Sequence, residues 1–417
     1  MDIREIKKCR ICGNDQIVTV LDLGNQALSG RFPGEDDPDP PRAPLVLIRC
    51  DNSKNPGACG LVQLKHSVPP LEMYTCGYGY RSGINKTMRD HLAELTRKSQ
   101  TITRLEKQDI VLDIGSNDGT LLKSYSMEDI RRIGIDPGGE QYKKYYPQEI
   151  QLICDFFSAA KFNSVYPHEK AKIITSVAMF YDLEKPMEFV ENIQQILHKD
   201  GIWILEQSYL PTMLKMNSFD TICHEHLEYY AFYQIDWMLR RNNLKAVDIE
   251  FNAINGGSFR VYVTHADSKI PRNEAALDRV IKMERALKLN CEIPYRDFCT
   301  RVEKVKMDLN TFLRTEKTKG KTIFVYGAST KGNVLLQYFN LDSKIITAAA
   351  ERNPEKWGCR TPGTGIPIIS EAEARKQKPD YFLPLPWHFK KEFIEREGQF
   401  IKDGGKFIFP LPDVEIV

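Results

Sequence analysis

The sequence predicts an α/β protein in three parts, on three observations. A passage near residue 109 reads as a buried strand, a glycine turn and a helix, and the same order restarts at residue 321. Each is followed by a second strand that ends in an acid, the pattern of doubly wound α/β domains. Ahead of both, four of the ten cysteines fall within the first 60 residues.

Composition bounds the rest. At about 100–200 residues per domain, 417 residues suggest two to four domains. With 42% apolar and 27% charged residues, the composition is that of a globular chain. A net charge of +2 supplies no global electrostatic reason to bind nucleic acid or anionic lipid. The strongest apolar run, Ile173 to Phe180, is far short of the ~20 residues a membrane span needs. The opening MDIREIKKCR has no apolar core that would make it a signal peptide. The expectation is a cytoplasmic protein with reduced thiols, and no membrane or nucleic-acid partner. Its cysteines then serve metal binding, catalysis or burial.

The first part is expected over 1–69. Cys9 and Cys12 have knuckle spacing, with Gly13 relieving the turn, and Cys50 and Cys59 form a wider second pair. Four thiolates close a tetrahedron around Zn²⁺ and leave no open position, so the expected zinc is structural. Residues 30–44, dense in Pro, Asp and Gly, read as an exposed loop. A segment this short and so interrupted is a poor basis for an independent core, and a metal would staple it.

The second part is expected over 70–266. DIVLDIG (109–115), RRIGID (131–136), AKIITSV (171–177) and GIWILEQ (201–207) read as strands. Phe189, Ile193, Ile196 and Leu197 mark a helix before the last of them. Gly115 and Gly119 let the first turn approach a ligand, and Asn117 stands where a dinucleotide fingerprint would have its second Gly. Asp113 and Asp118 would repel a pyrophosphate, whereas Asp136 can bond ribose hydroxyls and Asp155 can face an adenine amine. A cationic, phosphate-free adenosyl ligand, S-adenosylmethionine, suits this acidic rim. A purely structural turn is the alternative.

HEHLEYY (224–230) packs two His, two acids and two Tyr together. His224, Glu225 and His226 are candidates for proton transfer near neutral pH. In an extended segment the two His share a side; in a helix they diverge. An H-x-H metal pair and structural histidines are the other readings. Tyr78 and Tyr80, in CGYGYRS, are further polar candidates, with core packing as their other role.

The third part is expected over 267–417. Residues 272–318 are charged and helical in period, a connector. VYGASTKGNV (325–334) sets Gly327, Ser329, Lys331 and Gly332 at a strand-to-helix junction suited to a diphosphate. KIITAAAERNP reads as the next strand, ending at Glu351. The turn matches neither the dinucleotide fingerprint nor the phosphate-binding P-loop. A relic domain without a ligand is the other reading.

Taken in order, these motifs resemble the sugar C-methyltransferases that act on nucleotide-linked 4-keto deoxysugars, such as those making mycarose and tetronitrose. The four-cysteine region, CGYGYRSGINKTMRDH, LDIGSNDGTLL, DTICHEHLEYY, VYGASTKGNVLLQ, LPWHFKKEF and GGKFIFPLP carry the resemblance over essentially the whole chain. It implies a zinc-stapled N-terminal domain, a central Rossmann-like methyltransferase domain, and a C-terminal doubly wound Rossmann-like domain that helps hold the nucleotide sugar without a redox cofactor. It implies His226 as base, with Glu225 and the tyrosines of the YGY segment supporting the sugar site. The expected reaction is methylation at C-3, beside the 4-keto group. Relatives commonly have Tyr where Cys223 stands, and some carry a His near AMFYDL (178–183). The other readings are a related methyltransferase for another carbon or a non-sugar activated substrate, a zinc-containing NAD-dependent oxidoreductase, and a nucleotide-sugar binding protein without turnover. A chain with its own cofactor and substrate domains can work as a monomer.

Overall fold

The structure, a computed structural model, describes residues 2–53, 55–73 and 81–417. In the N-terminal part β1 (Arg4–Glu5) pairs with β5 (His66–Ser67). Between them β2 (Ile17–Ala27), β3 (Arg42–Cys50) and β4 (Val62–Leu64) form an antiparallel sheet. The fourth strand of that sheet is Glu228–Tyr229, supplied by the central part of the chain.

The central part contributes β6 (Ile110–Ile114), β7 (Arg131–Ile135), β8 (Ile150–Ile153), β9 (Ala171–Val177), β10 (Leu197–Ser208), β11 (Glu228–Tyr229), β12 (Leu244–Asn252) and β13 (Ser258–His265). Seven of them form one sheet, in the order β12-β13-β10-β9-β6-β7-β8. β6 to β10 run parallel, and β13 lies antiparallel between β10 and β12. All five residues of β6 are buried, as a parallel strand covered on both faces requires. The chain winds one way from β6 to β7 and β8, and the other way to β9 and β10. The switch point therefore lies between β6 and β9, where α/β sheets bind ligands.

Two helices, Glu274–Ala286 and Ile293–Thr318, fill the charged connector. The second buries Tyr295, Phe298, Val302, Val305, Leu309 and Leu313 at helical spacing. The last part adds β14 (Ile323–Tyr326), β15 (Ala348–Glu351), β16 (Ile368–Ser370), β17 (Tyr381–Pro384), β18 (Lys406–Phe409) and β19 (Glu415–Ile416). Their order is β16-β15-β14-β17-β18-β19, parallel except for β19. This second doubly wound sheet switches direction between β14 and β17. β15 is shorter than KIITAAAERNP suggests, because the N–H groups of Ile345 and Ile346 donate to the Asp342 carbonyl in a turn ahead of the strand.

The N-terminal part shares both of its neighbours' cores. Leu21, Leu45 and Val62 pack in one apolar cluster with Phe219, Leu227 and the C-terminal sheet, while Cys9, Cys50 and Cys59 pack with the central sheet. Among the described residues no helix is long and apolar enough to cross a membrane.

Candidate functional site

The sulfurs of Cys9, Cys12, Cys50 and Cys59 lie within 4.8 Å of one another. Cys9 Sγ and Cys59 Sγ are 3.4 Å apart, and Cys12 Sγ and Cys50 Sγ 3.6 Å. A tetrahedron with bonds of about 2.3 Å has edges of about 3.8 Å, so the four thiols fit a structural Zn²⁺. Gly13 closes the knuckle, its N–H donating to the Cys9 carbonyl at 2.9 Å. Its φ of +70° explains a glycine there.

The first glycine turn opens onto a cavity of about 310 Å³ at the carboxyl ends of β6, β7, β9 and β10. Gly115, Asn117 and Asp136 line it. Asn117 takes the left-handed conformation (φ 50°) and its N–H donates to the Asp136 carboxylate at 2.8 Å. Asn tolerates that conformation better than most residues. Asp136 also accepts from the Gly138 N–H at 2.7 Å, and burial raises its pKa. Four expected cofactor residues point elsewhere. Asp113 is buried under the turn and accepts from Thr175 Oγ1 at 2.6 Å. Asp118 accepts from the N–H groups of Gly83 and Thr120 at 3.0 and 3.2 Å, holding one turn onto the next. Gly119 packs against the Tyr146 ring, and Asp155 pairs with Lys161 on the surface. The cavity wall also includes Met179, Glu206 and Gln207, which sequence spacing did not single out.

A second cavity, of about 470 Å³, lies over the switch point of the C-terminal sheet. Gly327, Ser329, Lys331 and Glu351 all line it, as do Glu225 and His226. It meets the first cavity at Ala178 and Asn255, which line both. Ala178 has a φ of +53°, which costs a non-glycine residue about 1–2 kcal/mol. Such strain concentrates where a fold holds ligands in register.

Cys223 to His226 form a turn in which the His226 N–H donates to the Cys223 carbonyl at 3.1 Å. The two His therefore diverge, unlike those of an extended segment. His224 faces β3, its Nε2 3.1 Å from the Ala43 carbonyl, and lies outside the second cavity. It is an anchor, and burial lowers its pKa to about 4. His226 Nδ1 lies 2.9 Å from the Thr221 carbonyl. A carbonyl only accepts, so Nδ1 carries the hydrogen and Nε2 keeps its lone pair. Burial, and then the charge of Lys331, pushes His226 down to about 3, so the ring is neutral at pH 7. Glu225 is buried beside it, and burial raises its carboxyl. A Cβ on Gly30 would sit 2.5 Å from Glu225 Oε1, so a larger residue there would have to displace this carboxyl. The β2–β3 connection is less exposed than its composition suggests, since Gly30 and Phe32 form part of the cavity wall. Tyr78 and Tyr80 lie outside the described residues.

The remaining wall carries charges of both signs, with Lys331 set close to Asp220. Lys331 is the second residue of helix Thr330–Phe339, with its Nζ 3.5 Å from the Asn255 carbonyl. Burial lowers its pKa and Asp220 opposes that shift. Asp220 is fixed in turn by the Trp387 indole N–H at 3.0 Å. Ser329 Oγ caps the helix by accepting from the Gly332 N–H at 3.1 Å. Glu351 accepts from the N–H groups of Ala328, Arg352 and Asn353 at 2.7, 2.9 and 2.8 Å. It therefore shapes the turn more than it offers itself to a ligand. Sequence reasoning missed Lys356, which donates to the Ala328 carbonyl at 2.8 Å, and His388, pushed down to about 3 by burial and by Lys331. No spacing rule marks either, because each reaches the cavity from a single short 3-10 turn, Pro354–Lys356 and Trp387–Phe389.

Three family models match successive segments of the chain. They are a candidate zinc binding domain over 9–74, a methyltransferase domain over 80–249 and a C-methyltransferase C-terminal domain over 253–412. A curated relative, the C-methyltransferase NovU of Streptomyces niveus, is 28% identical over 420 aligned positions, which cover 100% of this chain and 98% of NovU. Among solved structures, the plantazolicin methyltransferase BpumL, crystallised with a pentazolic desmethylPZN analogue and S-adenosylhomocysteine, aligns over 44% of this chain and 86% of its own, with 13% identity and a TM-score of 0.36. The N-methyltransferase NodS of Bradyrhizobium japonicum aligns over 44% of this chain and 90% of its own, with 14% identity and a TM-score of 0.33.

Proposed function

We propose, for a chain that belongs to the S-adenosylmethionine-dependent C-methyltransferases, that the methyl group goes to C-3 of a nucleotide-diphosphate 4-keto deoxysugar, beside the ketone. The observation that carries this reading is the meeting of two cavities at Ala178 and Asn255, with His226 on the larger one. S-adenosylmethionine, when bound, supplies a methyl group made electrophilic by its sulfonium. Gly115, Asn117 and Asp136 hold it in the smaller cavity, where the Asp136 carboxylate offers acceptors to ribose hydroxyls. The helix start at Thr330 and the ammonium of Lys331 suit the diphosphate of the acceptor. We take residues 1–69, 70–266 and 267–417 as the working units that build these walls.

The 4-keto group acidifies the neighbouring C–H. His226 Nε2 takes that proton, and the electron pair of the broken C–H bond passes into the enolate. The enolate carbon is the nucleophile for the methyl carbon across the shared edge of the two cavities; the carbon–carbon bond would form as the methyl–sulfur bond breaks, its electron pair staying on the sulfur of the departing S-adenosylhomocysteine. Glu225 is buried and His226 half-buried at the cavity wall, which limits the water around the carbanion-like centre. Glu225 and the cations of the wall set the field in which the oxyanion develops.

The test is transfer of a labelled methyl group from S-adenosylmethionine to a panel of nucleotide-linked 4-keto sugars. Label on C-3 of one acceptor is the expected result. His226→Ala should keep S-adenosylmethionine affinity and lose transfer by at least about 100-fold. Label on another carbon or a non-sugar acceptor would move the substrate within the family; Cys223, on the cavity wall where relatives have Tyr, is the residue to examine first in that case. Near-normal turnover of the variant would remove His226 as base.

A further inference from the structure

The turn that carries His226 is held chiefly by the metal-binding part of the chain. Cys50 ends β3, and Cys59 stands just ahead of β4. β11 follows the turn directly and pairs with β4, Glu228 opposite Gln63 and Tyr229 opposite Val62. The Leu64 N–H donates to the Leu227 carbonyl at 2.8 Å. His224 reaches the Ala43 carbonyl on β3. Gln234, in the helix after β11, donates to the Cys59 carbonyl at 3.0 Å.

Arg10 ties this together from inside the knuckle, between Cys9 and Cys12. Its side chain is 3% exposed. The Arg10 N–H donates to Gln63 Oε1 at 3.1 Å, Nη1 to the Leu64 carbonyl at 2.7 Å, and Nη2 to Ser67 Oγ at 2.7 Å. Its Nε lies 3.6 Å from both Glu228 Oε1 and Glu184 Oε2. Glu228 is buried, and neither of its carboxylate oxygens has a hydrogen bond. Arg10 is its ion-pair partner among the described residues. Glu184 lines the smaller cavity. One side chain of the knuckle therefore touches the strand after the histidine turn, the strand paired with it, and the loop at the cofactor cavity.

We propose that the metal knuckle positions His226, and that Arg10 is the positioning residue that transmits it. The four thiols fit the metal, and a metal's ligands and the groups hydrogen-bonded around them are held in fixed mutual orientation. Here that outer layer is the template on which residues 224–229 are laid. The His226 ring is held by the Thr221 carbonyl at Nδ1 and by the Tyr181 ring at 4.3 Å between centroids, while the path of its backbone is set by the turn and by β11. This rests on the reading of His226 as base.

The experiment uses the full zinc-loaded chain with Arg10→Gln and Arg10→Lys. Four quantities are read: zinc content, S-adenosylmethionine affinity, amide hydrogen exchange across 224–229, and kcat against KM for methyl transfer. Arg10→Gln should retain zinc and bind S-adenosylmethionine within about twofold, with exchange over 224–229 at least about tenfold faster. Its kcat should fall about 100-fold, as a displacement of about 1 Å does to a reacting group, at unchanged KM for S-adenosylmethionine. Arg10→Lys should recover part of both losses. Unchanged exchange and kcat would overturn the proposal. Should Arg10→Gln lose zinc or fail to fold, Ser67→Ala removes a single hydrogen bond to Arg10, and exchange over 224–229 must still rise; no rise overturns the proposal. His226→Ala separates the two claims. If it keeps turnover the base reading fails, while the exchange data still judge the role of Arg10.

Discussion

Asp113 and Asp136 end neighbouring parallel strands, yet they do different work. Asp136 faces the smaller cavity, while Asp113 is buried one layer down against Thr175. Burial raises Asp113 to about 7, with Asp136 adding to the rise and the Thr175 hydroxyl opposing it. Its usual value is about 3.9. The folded chain therefore holds a proton that the unfolded chain releases between about pH 4 and 7, so this group makes stability fall as pH climbs through that window. Asn in its place still accepts from Thr175 and does not titrate. Asp113→Asn should thus gain on the wild type from pH 5 to pH 8, by at most about 1.4 kcal/mol per pH unit below 7. Melting temperatures across pH check this, and a pH-independent gap would show that Asp113 does not titrate in that window. The sequence marked both acids by their place at strand ends. Depth under the turn, which separates them, depends on which way each side chain leaves its strand.

At the scale of elements, both glycine turns were legible because a strand, a turn and a helix leave a local signature of period and punctuation. The pairing of β11 with β4 was not, since two residues far apart in sequence leave no pattern of their own. The hairpin of β12 and β13 escaped for a related reason, because the pattern read along 70–266 was that of parallel units. Close approach is the other element-scale fact. A Cβ on Gly332 would lie 2.4 Å from Leu385 Cβ, so helix Thr330–Phe339 sits hard against the end of β17. Gly332→Ala should push that helix and Lys331 outward. The expected cost is about 1–3 kcal/mol of stability. Affinity for the proposed nucleotide-sugar acceptor should fall more than S-adenosylmethionine affinity. Thermal melts and binding titrations of both ligands check it, and equal losses for the two would place the effect outside the second cavity.

Across the whole molecule, the metal site is where three parts of the chain become one. Cys9, Cys50 and Cys59 pack in the same apolar cluster as the central sheet, and the β2–β3 sheet packs in the cluster of the C-terminal sheet. Removing zinc should therefore lower the melting temperature of the chain as a unit instead of detaching a small domain. Structural zinc sites contribute on the order of 10 kcal/mol of apparent binding energy. Chelation followed by calorimetry checks this, with zinc added back to restore the transition. Two resolved transitions, with the larger one unmoved, would show that the N-terminal part folds separately.

The sequence by itself determined the three-part α/β architecture, the four metal-binding thiols and the turns that open each cavity. Local period, residue type and short spacing set these, and all three are written in contiguous stretches. Only the tertiary structure decided that the cavities meet at Ala178 and Asn255, that His226 faces the larger one while His224 turns away, and that Lys356 and His388 join its wall. Those facts depend on side chains converging from segments tens to hundreds of residues apart, and packing of three parts around shared cores sets their positions.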